Sequence, residues 1–115
     1  MTLTAADILN CDDSSKEKIN IPEWGGDVYI KVMSGSERDS WELYYGKEIE
    51  KTNSVNVRSK LAGLTLCDEQ GKRLFSDGQI AALGKKSGSA LERVYVESLR
   101  INKVTESDIE ALEKN

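Results

Sequence analysis

The chain has 115 residues, 38% hydrophobic and 31% charged, with one proline and nine glycines; a chain of this length buries roughly 65% of its unfolded surface around one core, and the composition is not that of a disordered segment. A formal net charge of −4 argues against electrostatic nucleic-acid binding, which needs a basic face. No apolar run approaches the roughly 20 residues that span a bilayer, no basic-then-apolar leader opens the sequence, and the distant cysteines Cys11 and Cys67 read as free thiols in a reducing cytosol.

In chain order, TAADIL places Thr4 and Asp7 at capping-box spacing, the first sign of a helix. Residues Asn10 to Lys16 are polar and aperiodic and read as a flexible linker. KINIPEWGGDVYIKVM then alternates apolar and polar residues about Gly25-Gly26, which predicts a two-residue hairpin turn. In that register Ile21 faces Ile30, Ile19 faces Val32 and Glu23 faces Val28. Pro22 removes a ladder donor, which makes its strand an edge.

After the hairpin the period changes to that of helices. SGSERDSWELYY sets Trp41, Tyr44 and Tyr45 at i, i+3 and i+4 behind a cap at Ser36 and Asp39. Gly46 to Asn53 is polar and predicts an exposed loop. NSVNVRSKLAGLTLCDE puts Val57, Leu61 and Leu64 on one helical face, capped by Asn53 or Ser54. FSDGQIAALG pairs Ser76 with Gln79 and stops at Gly84. SGSALERVYVESLRINK is the strongest helix, capped by Ser89 and Glu92, with a stripe of Leu91, Val94, Tyr95, Ser98 and Leu99. TESDIEALEKN closes the chain with a Thr105 and Asp108 cap and buried Ile109 and Leu112. The expected fold is α+β, mainly helical: a two-stranded antiparallel hairpin over 19–33, then a bundle of four to five short helices over 36–115. All belong to a single domain, with 1–17 flexible.

Few residues carry chemistry. There is no histidine, which removes the commonest general base and metal ligand. The acidic pairs Asp12-Asp13 and Asp68-Glu69 lack the spaced oxygens of a calcium loop. GQIAALGKKS misses the spacing of a phosphate loop and follows no strand. LTLCDEQGKRLFSD, Leu64 to Asp77, reads as a corner: Leu64, Leu66, Leu74 and Phe75 anchor a turn at Gly71, and Cys67 ends an apolar helix as a small hydrophobe. Neither catalytic, cofactor nor metal residues are assigned. Partner binding falls to an aromatic and helical patch of Trp41, Tyr44, Tyr45, Leu91 and Tyr95.

PEWGGDVYIKVMSGSERDSWE, NVRSKLAGLTLCDEQGKRLFSD and IAALGKKSGSALERVYVESLRINKVTESDIE resemble, in sequence and in order, the tail assembly chaperones of long-tailed bacteriophages. The resemblance runs over about residues 19–112. It implies a chaperone without enzymatic activity, made in the cytoplasm of the infected bacterium and absent from the finished virion. It further implies binding to the tape measure protein, contact with the tail tube protein through a longer frameshifted product, and self-association, with neither nucleic acid nor membrane as partner. The competing reading is a structural virion component such as a head–tail connector or tail completion protein, which size and acidity fit equally well.

Overall fold

The computed structural model describes residues 1–50 and 56–114. Its helices are α1 (Ala5–Asn10), α2 (Gly35–Glu50), α3 (Val57–Thr65), α4 (Ile80–Leu83), α5 (Gly88–Ile101) and α6 (Glu106–Glu113), and its strands are β1 (Lys16–Ile21), β2 (Gly26–Lys31) and β3 (Leu66–Cys67). The class is α+β and mainly helical, as expected.

The hairpin forms in a different register. Pro22, with fixed φ and no N–H, opens a 3-10 turn over Pro22–Trp24 instead of extending the ladder. Gly25 ends that turn at φ 74, donating to the carbonyls of Pro22 and Ile21. The strands therefore pair Ile21 with Gly26, Ile19 with Val28 and Glu17 with Ile30. Because the slip from the expected pairing is an even number of residues, the inward face is unchanged. Ile21 and Ile30 are fully buried, and Ile19 and Val28 pack against the same cluster.

A third strand was not expected. α3 ends at Thr65, and Leu66–Cys67 adds to the far side of β2 as an antiparallel pair, so the sheet has the order β1-β2-β3 and β1 is an edge. Cys67 is thus a strand residue. The corner that follows is held by Asp68 Oδ1, which accepts from the Gln70 and Lys72 amides at 2.9 and 3.0 Å, while Gly71 takes φ +82. Leu74 donates its amide to Leu66, but its side chain is exposed and anchors nothing; Phe75 does pack on the core.

The boxes at Thr4 and Asp7 and at Thr105 and Asp108 form as expected, and the Gln79 side chain accepts from the Ser76 amide at 2.8 Å. Two caps are displaced. α2 is capped by Ser34 and Glu37, which exchange side-chain and amide contacts at 3.1 and 2.9 Å, in place of Ser36 and Asp39. α5 is capped by Ser87, which accepts from the Ala90 amide, in place of Ser89. The loop expected at Gly46 to Asn53 is helical through Glu50; its last residues, like the caps expected at Asn53 and Ser54, fall outside the described residues. Asn56, at φ 67, leads into α3.

Glu37 also grips Lys31 at the end of β2, 2.6 Å away. Burial raises the Glu37 carboxyl, but the Lys31 ammonium and the Ser34 amide outweigh it and hold the group below its ordinary value of 4.5. A folded-state value below the unfolded one means that this stabilisation is complete above pH 4.5 and is lost as the pH falls through the folded value. Thermal melts of the wild type are expected to lose Tm over that acid window more steeply than melts of Glu37→Gln. Parallel acid limbs for the two chains would contradict the assignment.

Two apolar clusters fill the interior. The first joins the sheet to α3, α4 and α5 through Ile21, Ile30, Ala62, Leu66, Leu83 and Val94. The second joins α2 and α3 through Met33, Trp41, Tyr45, Leu61 and Leu64. Where α3 crosses α5, Thr65 donates to the Leu61 carbonyl at 2.8 Å and lies 2.9 Å from the Ser98 hydroxyl, so two fully buried hydroxyls satisfy each other. Gly63 lets α4 approach, since any side chain there would run into Ile80.

Candidate partner-binding surface

The five residues expected to form a patch divide between surface and core. Trp41 is fully buried, Tyr45 is 6% exposed and Leu91 is 5% exposed, whereas Tyr44 and Tyr95 are half-buried. A spacing of i, i+3 and i+4 puts three aromatics along one side of a helix without saying whether that side faces water. Here Trp41 and Tyr45, four apart on α2, turn inward with ring centroids 5.5 Å apart. Tyr95 reaches the same cluster from α5, and Leu91 belongs to the other one. Tyr44 carries the Lys60 ammonium over its ring at 5.4 Å.

Around these residues the second cluster has a rim of partly buried apolar side chains, with an ion pair beside it. Val57, Tyr95, Leu99, Val104, Ile109 and Leu112 ring the second cluster, each partly buried. Arg58 lies over the Tyr95 ring at 6.0 Å and pairs with Glu92 at 3.2 Å. Beside it a groove of about 460 Å³ runs between the start of α3 and the turn into α5, lined by Val57, Arg58, Gly84, Lys86 and Leu91 among others. The Tyr45 hydroxyl donates to Glu113 at 3.0 Å, and burial, that carboxylate and the neighbouring Tyr95 all push its phenol up. Burial likewise pushes up Tyr95. Both phenols are therefore protonated donors at neutral pH.

Other groups offer less. Burial pushes the Cys67 thiol up, against the smaller pull of Lys31 and Lys16, so it carries little thiolate; Cys11 is exposed. Among the described residues no cluster of three or more acidic, cysteine or histidine side chains is placed to hold a metal, and no helix is long and apolar enough to cross a membrane. Further apolar surface comes from α1, which buries none of its residues and leaves Ile8 and Leu9 exposed, preceded by exposed Leu3. Arg38 escaped sequence reading: it donates to the Asn102 carbonyl at 2.9 Å and stands 3.8 Å from Asp108, contacts between distant segments that no local pattern signals.

No family model and no curated protein matches the sequence. Among solved structures, the chain is similar to the bacteriophage HK97 tail assembly chaperone, with a TM-score of 0.62 and 19% identity over 84% of this chain and 89% of that one. The likeness falls on the same family whose segments the sequence resembles. What it establishes is architecture: the chain has the fold of the HK97 tail assembly chaperone.

Proposed function

We propose that this chain is a phage tail assembly chaperone that binds the tape measure protein, keeps it soluble and presents it to the tail tube protein for assembly. The observation that carries this reading is the extent of the fold likeness, which takes in most of both chains. A tape measure protein is a long helix with apolar stripes that aggregates if left bare. Apolar ground between helices, fenced by charge, is a surface on which such a stripe lies down. The net charge of −4 keeps the complex dispersed. The role requires contacts and no catalysis. It is exercised in the host cytoplasm, by self-associated copies, with the finished virion free of the chain.

The test is co-expression with the tape measure protein encoded beside it, followed by affinity capture and light scattering. Co-purification with a larger soluble fraction of the tape measure protein is the expected result. A chain that stays partnerless and is found in purified virions is instead a structural component.

A further inference from the structure

Helix α6 covers the Trp41 and Tyr45 cluster without joining it. None of its residues is buried; Ile109 and Leu112, together with Val104 before the helix, pack against the cluster from outside. Polar contacts among the described residues tie it to α2, including the Tyr45 hydroxyl to Glu113 at 3.0 Å and Arg38 to Asp108 at 3.8 Å. At eight residues it is shorter than the roughly 12–15 at which an isolated helix holds in water. Its helicity therefore comes from its seat.

The rest of the fold does not need α6 to finish α5. Lys103, at φ 56, and Val104, whose amide returns to the Leu99 carbonyl at 2.9 Å, close α5 with its own left-handed cap. In the cluster against which α6 packs, the fully buried Trp41 keeps an indole N–H with no acceptor among the described residues.

We propose that α6 is an internal ligand, occupying a seat on α2 that accepts in its place a partner helix of the same pattern: aliphatic residues at i and i+3, carboxylates at i−1 and i+4. In α6 these are Ile109, Leu112, Asp108 and Glu113. Arg38 and the Tyr45 hydroxyl read the carboxylates, and the cluster reads the aliphatics. The identity of the partner as a helical client rests on the chaperone reading; the seat rests on the contacts of α6 alone.

The experiment uses the full chain carrying Ile109→Ser and Leu112→Ser, which empties the seat and leaves the cluster side chains in place. The probe is a fluorescent synthetic peptide spanning residues 104–114. Its affinity for the variant is expected to exceed that for the wild type, whose seat is filled, by about tenfold or more. Equal affinity, with circular dichroism showing the variant folded, overturns the proposal. Should the variant unfold, native-state hydrogen exchange on the wild type decides: α6 amides opening about 100-fold faster than those of α5 support a detachable helix, and exchange at one common rate overturns it. A tape measure fragment bound by the wild type must be displaced by the peptide; binding that the peptide leaves untouched sinks the seat but not the chaperone role. Peptide binding to the variant with no client binding at all does the reverse.

Discussion

Replacing Trp41 with alanine is expected to lower the stability of the chain by about 3–5 kcal/mol, the usual cost of truncating a core aromatic. That is a large share of the 5–15 kcal/mol or so that holds a domain folded. The ring is fully buried, lies 5.5 Å from that of Tyr45 and belongs to one cluster with Met33, Leu61 and Leu64. Alanine leaves a cavity that side chains on two separate helices are not free to fill. Trp41→Phe is expected to cost far less. It keeps most of the apolar volume, and it removes an N–H that has no acceptor among the described residues, whose burial alone costs about 1–3 kcal/mol. Urea denaturation followed by circular dichroism measures both. Equal losses for the two variants would mean that the indole nitrogen, and not the ring volume, holds the cluster.

The same tryptophan shows where sequence reading reached and where it stopped. Signals closed within a few residues were legible: Thr4 with Asp7 and Thr105 with Asp108 cap their helices because the two partners lie within one turn of each other. Parity was legible too. Ile21 and Ile30 face inward whichever even register the hairpin takes, since side chains alternate strictly along a strand. The register itself was not, because Gly25-Gly26 suits a two-residue turn and only the geometry of Pro22 rules for the longer one. Ser34 with Glu37 and Ser36 with Asp39 offer the same spacing two residues apart. The choice between them falls to Lys31, which holds Glu37 from the end of β2.

The site was less legible than the fold. Strand β3 is two residues inside an apolar run, and its partners Tyr29 and Ile30 lie far back in the sequence. The inward turn of Trp41 and Tyr45 follows from α3 packing against α2, a tertiary event that the spacing of three aromatics does not encode. Aromatic residues were a sound guide to where helices meet. They were a poor guide to which of them remain at the surface, because the same ring area that binds a partner also builds a core.

Asn102→Ala is expected to cost about 2–4 kcal/mol, because the side chain serves several buried groups and each buried group left unpaired costs about 1–3 kcal/mol. Asn102 Oδ1 accepts the Met33 amide at 2.7 Å, and Nδ2 donates to the Ser98 carbonyl at 2.9 Å and the Lys31 carbonyl at 3.3 Å. Met33 lies where the chain has left β2 and has not yet entered α2, so no ladder or helix supplies its amide with another partner. Ser98 is better placed, since its carbonyl also receives the Asn102 amide at 3.0 Å. The loss should therefore concentrate on one N–H, and amide exchange at Met33 should accelerate beyond the global effect seen in urea. A variant within about 0.5 kcal/mol of wild type, the range of an ordinary surface change, would show that water replaces the amide's partner. Asn102 also ends α5 at the point from which Lys103 and Val104 turn the chain toward α6. Weakening it should free the attachment of α6 along with the start of α2, and both helices border the cluster around Trp41.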